Sequence, residues 1–160
     1  MVVDITAEGL ELSLVSLFAG WAMTDEVQRR LADQGYGELR FNDGVVFQHV
    51  LAAPLSISAL AERMGVTQQA ASKAVADLER RGLLTREVAP DDARTRHLHL
   101  TERGLASIEA ARAHRRNLEA ELVEEFGSDE VAATRRLLAA IVTRLGAAEA
   151  VRNRRVRPPG

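Results

Sequence analysis

The chain has 160 residues, no cysteine and a formal net charge of −2. This length suits one domain with a real core, or a small domain that carries a dimerisation element. The absence of cysteine excludes disulfides, thiolate metal sites and cysteine-based redox sensing. No stretch approaches the roughly 18 apolar residues that a membrane-spanning helix needs, and the N-terminus is unlike a signal peptide. We therefore expect a cytoplasmic protein without a membrane partner.

The composition and the first half of the chain predict helices. Nearly half of the residues are apolar, few are aromatic, and Ala and Leu supply much of the apolar content, which favours a mostly α fold. Apolar residues at spacings of three and four predict a first helix from about Glu8 to Asp33. After the turn that follows it, a second helix is predicted from about Asn42 to Leu51.

The stretch from Ile57 to Gly82 predicts two short helices joined by a tight turn. The first spans Ile57–Met64, and Gly65 can end it in the left-handed conformation. Thr67 is a favourable N-cap for the second helix, which is predicted to reach about Arg81. Apolar residues recur along one side of each helix, so the stretch has the pattern of a helix-turn-helix.

The exposed face of the second helix indicates a function. Its first two turns present Gln68, Gln69, Ser72 and Lys73, with no carboxylate before Asp77. An ordinary solvated helix favours Asp or Glu in its first turn, because the helix dipole is positive there. Gln can pair with adenine, and Ser and Lys can reach bases or phosphates. The pattern favours DNA recognition over the alternative of a plain polar face.

After Gly82 the spacing of apolar residues changes from that of a helix to that of a β-hairpin. Strands are predicted over 83–88 and 96–100, around the turn residues 89–93. A hairpin directly after a recognition helix makes a wing. Although residues 1–62 carry three arginines against nine acids, residues 63–103 carry eight basic and six acidic side chains. A small basic footprint of this kind is what a nucleic-acid-binding surface requires.

Two more helices complete the predicted fold. Thr101 caps a helix over 102–126, and Ser128 caps a last helix with an apolar side. A helix of 25 residues spans about 37 Å, longer than the winged-helix unit that it leaves. We expect the first helix and the last two to pack against those of a second copy, since DNA half-sites reward two-fold symmetry. The alternative is an intramolecular three-helix bundle.

Several motifs resemble the MarR family of bacterial transcription regulators. The run L-A-E-R-M-G-V-T over 60–67 resembles the family's entry to the helix-turn-helix. The run L-x-x-x-G-L over 78–83 resembles its exit from the recognition helix. The wing is the most specific motif, since D-x-R-x-R-x-L-x-L-T over 92–101 is similar to the family's wing signature. Ala70 departs from the pattern, because a larger or hydroxyl side chain is common there.

The resemblance covers nearly the whole chain and implies a function for each of its regions. Residues 8–33 and 102–150 would form a helical dimerisation region, 40–101 the winged helix-turn-helix, and 151–160 a disordered basic tail. The chain would be a ligand-responsive regulator, a repressor or an activator, that binds a pseudo-palindromic operator in double-stranded DNA as a homodimer. Of these two roles, we expect that of a repressor. A small-molecule effector of unknown identity is implied as a further partner.

The resemblance also assigns roles to residues. Arg94 would enter the minor groove from the wing, braced by Asp92, with Arg96 beside it. The major groove would be read from the second helix. Effector pockets of the family lie where the dimerisation helices meet the winged helix, which makes Phe18, Trp21 and Phe47 candidate lining residues, although each also suits plain core. The implied DNA contacts are Thr67, Gln68, Gln69, Ser72, Lys73, Asp92, Arg94 and Arg96.

Other chemistry finds less support in the sequence. His97 and His99 share one strand face and could ligate a metal, but no third ligand is evident nearby, and His49 and His114 give an equally weak indication. We predict no metal and no cofactor. No nucleophile–base pair or phosphate loop is readable, so an enzyme is not expected. The alternative class is a winged-helix protein-interaction module without specific DNA binding.

Overall fold

A computed structural model of the chain describes residues 6–89 and 92–152, without the side chains of 92, 93 and 152. Its helices are α1 Leu12–Leu31, α2 Asp43–Ala52, α3 Ile57–Met64, α4 Gln68–Arg80, α5 Glu102–Phe126, α6 Ser128–Arg144 and α7 Ala148–Arg152. Its strands are β1 Leu84–Ala89 and β2 Asp92–Leu100. The predicted fold class, mostly α with a winged helix-turn-helix and a two-stranded wing, is confirmed.

The main core lies inside the winged-helix unit. Leu60 of α3, Val75 and Leu78 of α4 and Leu98 of β2 are almost completely inaccessible to solvent, because the apolar stripes of these elements face one another. Leu55, in the segment between α2 and α3, forms an isolated antiparallel bridge with Leu98. The wing is therefore attached at its base to the segment that precedes α3.

A smaller apolar cluster joins the first helix to the fifth. Val27 and Leu31 of α1 pack with Ala110 of α5, and Leu118 lies against them. The N-terminal end of α5 lies close to the winged helix. This close approach is possible because residue 104 is glycine: a Cβ at this position would overlap the carbonyl oxygen of Leu83. Among the described helices, none is long and apolar enough to cross a membrane.

The structure corrects several predicted boundaries. The first helix begins at Leu12 rather than near Glu8, after one 3-10 turn at Ala7–Gly9, and it continues beyond Leu31 into a π-helical turn, Ala32–Tyr36. Gly35 within that turn has a φ of 92°, a backbone conformation that only glycine adopts without strain.

The second strand is longer than predicted. The side chains of 89–93 suggested a five-residue turn, but β2 begins at Asp92, because its backbone continues to pair with β1 up to Ala89. The ladder shifts register between Val88 and Ala89. Pro90 and Asp91, which were part of the predicted turn, lie outside the described residues.

The C-terminal predictions also change. Ser128 is the first residue of α6 and makes no capping hydrogen bond; Gly127, with a φ of 95°, takes the N-cap position instead. The last helix is broken at Gly146, which has a φ of 74°, and the chain then forms α7. The predicted disordered tail is wrong for Val151 and Arg152, which end α7, while its remaining residues, 153–160, lie outside the described part of the chain.

Candidate nucleic-acid interface

Local hydrogen bonds define the two helices of the helix-turn-helix. The hydroxyl of Ser56 accepts from the backbone N–H of Ala59 at 3.2 Å, and the hydroxyl of Thr67 accepts from Ala70 N–H at 3.1 Å. Between the helices, Gly65 takes the left-handed conformation with a φ of 64°. These caps fix where α4 begins and leave its first turn at the surface.

The surface of that first turn carries donors and acceptors but no negative charge. Gln68, Gln69 and Lys73 are exposed, and Ser72 is half-buried. No acidic residue occupies the first turn of α4. The positive end of the helix dipole is therefore not neutralised locally, which suits the approach of a phosphate or of an electronegative base edge.

The wing adds cations to the same unit. Arg94 and Arg96 of β2 are exposed, and Arg96 is the cross-strand partner of Val88. The side chain of Asp92, expected to brace Arg94, lies outside the described part. The guanidinium of Arg86 in β1 lies 2.8 Å from the carboxylate of Glu79 in α4. This ion pair ties the wing to the candidate recognition helix, a role that the sequence did not reveal.

The C-terminal end of α4 is held by a group of ion pairs. Arg81 donates to the carboxylate of Asp43 at 2.6 Å, to that of Asp77 at 2.8 Å and to the backbone carbonyl of Glu38 at 2.9 Å. The Arg81 and Asp43 side chains are only 13% and 10% exposed, so breaking this pair would leave a largely buried charge uncompensated.

Asp77 forms ion pairs with three arginines. Besides Arg81, it accepts from Arg80 at 2.7 Å and from Arg40 at 3.2 Å. Burial raises the pKa of Asp77, but the positive charges of Arg81, Arg40 and Arg80 lower it more, so the net pKa lies below its usual value. The carboxylate thus stays ionised, and α4 is anchored electrostatically at the end opposite to its exposed first turn.

A cleft of about 450 Å³ lies between α1, α2 and α5. Phe47, one of the three predicted lining residues, lines it. Phe18 and Trp21 do not; they form an edge-to-face pair with ring centroids 5.6 Å apart, and they are 51% and 55% exposed. The sequence did not reveal the cleft's arginines, because one lies before α2 and the other three lie on α5, far from it in the chain. They are Arg40, Arg112, Arg115 and Arg116.

The four histidines are not gathered into one site. The ring of His99 lies 4.0 Å from the carboxylate of Glu87, and that of His114 lies 2.8 Å from the side-chain oxygen of Gln34. Within residues 6–89 and 92–152, no group of three or more histidines or carboxylates is arranged to hold a metal ion. His97 and His99 therefore have no third metal ligand beside them among the described residues.

Comparisons with known proteins agree with this geometry. Residues 42–95, which span the helix-turn-helix and the start of β2, match the model of the MarR family. No curated protein gives a significant sequence match.

Solved structures resemble the chain over most of its length. MepR of Staphylococcus aureus, a transcription regulator of the multidrug efflux pump MepA, is 19% identical, with a TM-score of 0.67 and coverage of 85% of this chain and 99% of its own. YusO from Bacillus subtilis is 25% identical, with a TM-score of 0.65 and coverage of 82% and 91%. A MepR variant bound to an oligodeoxyribonucleotide is 20% identical, with a TM-score of 0.63 and coverage of 85% and 99%.

Proposed function

We propose that the chain is a MarR-family transcription regulator, since the family's model matches residues 42–95, and that it acts as a ligand-responsive repressor. Regulators of this family are DNA-binding proteins that are not enzymes and act as dimers. The chain binds a pseudo-palindromic operator in double-stranded DNA as a homodimer. The observation that carries the proposal is the capped, exposed and carboxylate-free first turn of α4. A surface of this kind suits insertion into the major groove, where side chains read base edges.

The wing supports the same function. Exposed Arg94 and Arg96 stand on a hairpin that the Arg86–Glu79 ion pair attaches to α4. An arginine inserted into a narrow minor groove meets the most negative potential of the duplex. One of the similar structures is a complex with an oligodeoxyribonucleotide, which is consistent with DNA as the partner of this chain.

Dimerisation is supported by apolar surface that the single chain leaves uncovered. No residue of α6 is buried. Large contiguous apolar surfaces on a soluble protein mark interaction sites. In the helical region the exposed large apolar side chains of the described residues are Leu12, Leu14, Leu17, Phe18, Trp21, Met23, Leu105, Phe126, Leu137, Leu138, Leu145 and Val151.

Response to a small molecule is supported by the cleft. A volume of about 450 Å³ lies within the usual range of ligand pockets, roughly 300–1,000 Å³. Its walls come from the first, second and fifth helices, so an occupant would touch both the helical region and the winged helix. One similar structure, MepR, was solved bound to ethidium bromide.

The decisive experiment measures DNA binding by fluorescence anisotropy. The full chain is titrated against the DNA upstream of its own gene and against a shuffled duplex of equal length. We expect the upstream DNA to bind about 10³-fold more tightly or better, and a footprint with two-fold symmetry. Equal, weak binding to both duplexes would contradict the proposal and favour a protein-interaction module. A reporter driven by the same DNA tests repression: its output should rise when the chain is removed.

A further inference from the structure

The chain passes at two places between the winged helix and the helical region, which consists of α1 and of α5 to α7. The first connection, residues 32–42, leads from α1 to α2, and the second, Thr101, leads from β2 to α5. A single loop can act as a hinge between two units, whereas two connections that are bonded to each other hold the units at one angle. The contacts between the two connections therefore decide how freely the winged helix can tilt.

Arg103, in the first turn of α5, contacts three residues of the first connection. Its guanidinium donates to the carboxylate of Glu38, through Nε at 3.1 Å and also through Nη2, and to the carbonyl oxygen of Gly35 at 3.1 Å. The same group lies over the ring of Tyr36, 5.1 Å from the ring centre, which is a favourable cation–π distance. Arg103 thus joins the start of α5 to the turn that follows α1.

Glu38 is also bonded to the candidate recognition helix. Its backbone carbonyl accepts from Arg81, the residue that follows α4, at 2.9 Å, while its carboxylate accepts from Arg103. Arg81 pairs in addition with Asp43 at the start of α2. One residue of the first connection therefore links α4 to α5 through two arginines.

The second connection is bonded to the segment that follows α4. The hydroxyl of Thr101 donates to the carbonyl oxygen of Gly82 at 2.6 Å, and its backbone N–H donates to that of Leu83 at 3.2 Å. Both connections are therefore fixed near the C-terminal end of α4, and Arg103 bonds one connection to the other.

We propose that Arg103 is a positioning residue that determines which separation of half-sites the dimer accepts on DNA. When two copies pair through their helical regions, the angle between each winged helix and its helical region fixes the distance between the two α4 helices. Both half-sites are read only when this distance matches their separation along the duplex. The inference rests on the proposed function, because it needs a dimer that binds DNA.

The first test compares the operator with the same duplex carrying one extra base pair between its half-sites, by fluorescence anisotropy. The insertion moves the half-sites about 3.4 Å apart and rotates one against the other by about 35°. The wild-type chain should lose affinity about tenfold or more, because one half-site leaves its register. In Arg103→Ala this loss should be smaller by about threefold, the order of the contribution of an exposed ion pair.

The ratio of the two affinities separates positioning from a merely structural role. A variant that folds less well loses the same factor on both duplexes, so an unchanged ratio in Arg103→Ala would overturn the inference. Arg103→Lys keeps the charge but not the planar guanidinium and should fall between Arg103→Ala and wild type. Arg112→Ala is the matched control, because Arg112 pairs with Glu109 of the same helix at 2.7 Å, and it should keep the wild-type ratio.

The second test needs no DNA. The chain has no cysteine, so Glu62→Cys, at an exposed position of α3, gives each winged helix of a dimer a single spin label. Double electron–electron resonance then measures the distance between the two labels. The distance distribution should be narrow with Arg103 present and broader after Arg103→Ala, while Arg112→Ala leaves it narrow. Equal widths with and without Arg103 would refute the positioning role.

The two proposals fail in different ways. A chain that binds no DNA specifically refutes the proposed function and the half-site role, while a distance distribution that broadens in Arg103→Ala would still support the positioning of the winged helix. A chain whose marked preference for one half-site separation is the same in Arg103→Ala refutes the present inference alone. Circular dichroism checks that Arg103→Ala remains folded. If it does not, Glu38→Gln, which removes the charge that Arg103 contacts, is measured in the same way.

Discussion

At the scale of single residues, the wing arginine and the recognition-helix amide have different chemistry. Arg94 carries a fixed positive charge at the surface of β2. A guanidinium attracts phosphates and the narrow minor groove of any sequence. Gln69 is uncharged and can exchange a pair of hydrogen bonds with one base. Substitutions at the two positions should therefore change different properties of DNA binding.

We predict that Arg94→Ala weakens binding to all duplexes. The dependence of log K on log salt concentration should become shallower by about one, because one phosphate-neutralising cation is lost. Titrations against operator and random duplex at several salt concentrations measure both quantities. Arg136→Ala, which removes an exposed arginine from α6, is the control. An unchanged salt slope for Arg94→Ala would show that the wing is wrongly assigned.

We predict that Gln69→Ala loses discrimination between the operator and random duplex, by roughly 1–3 kcal/mol for a lost bidentate contact. Lys73→Ala, one turn further along α4, should also act mainly on the specific site. Non-specific affinity should change little for Gln69→Ala. Gln34→Ala, whose side chain contacts His114 instead, serves as the control. Full discrimination by both α4 variants would mean that this helix is not the reader.

At the scale of elements, α1 and α5 are joined by an ion-pair network. Arg30 of α1 lies 2.6 Å from both Glu26 and Glu121, the latter on α5. Hydrogen bonds from Arg29 and Arg30 lower the pKa of Glu26 to about 2. The same arginine, Arg30, lowers the pKa of Glu121.

The sign of the resulting pH dependence follows from these depressed pKa values. The carboxylates are ionised in the folded chain at pH values where the unfolded chain already binds protons. Their contribution to stability is complete above about pH 4.5, the ordinary value for Glu, and falls as the pH drops toward about 2. Glu26→Gln should make the urea midpoint of unfolding depend less on pH across this window. Glu125→Gln, which replaces a glutamate without an ion pair in the described structure, should leave that pH dependence unchanged. Identical profiles for the two variants would contradict the prediction.

The contact between α5 and the winged helix gives a second prediction. A Cβ at position 104 would overlap the carbonyl oxygen of Leu83. Gly104→Ala should therefore lower the free energy of unfolding by about 1–3 kcal/mol, as overpacked sites do. Gly44→Ala in α2, where an added Cβ meets nothing within 4 Å, should cause no loss. Equal denaturation midpoints for wild type and Gly104→Ala would show that the helix can shift freely.

At the scale of the whole molecule, the uncovered apolar surface determines the expected assembly. Leu138 of α6 is 37% exposed, and Leu145, which follows the last residue of α6, is 74% exposed. Within the described chain α6 packs mainly against α5. Burial of such side chains against a second copy is favourable at about 25 cal/mol per Å² of apolar surface. In the single chain this apolar surface is left exposed.

We predict that Leu138→Asp disrupts the dimer, because an unpaired charge would be buried in the interface. Sedimentation velocity should show dimers for wild type and monomers for the variant, and operator affinity should fall with dimerisation. If the variant proves unfolded by circular dichroism, Leu137→Ser is the milder replacement to be measured in the same way. A wild-type monomer that holds full operator affinity would refute the dimer.

The sequence alone determined the parts of this protein that depend on neighbours along the chain. The cap at Thr67, the left-handed Gly65 and the alternation in β2 are local signals, so the helix-turn-helix and the wing could be predicted from them, and both are confirmed. The resemblance to the MarR family rests on the same stretch, and residues 42–95 match that family's model. The DNA contacts inferred from the same local pattern, including Gln69, stay predictions.

Only the tertiary structure decided which distant residues meet. Arg81 contacts Asp43, 38 positions away, and the cleft brings Arg40 together with Arg116. The sequence does not reveal these contacts, because periodicity specifies which face of a helix is apolar but not which other helix will cover it. Phe18 and Trp21 illustrate the same limit: their spacing is that of a buried stripe, yet both side chains are about half exposed, since the described elements leave that side of α1 partly uncovered.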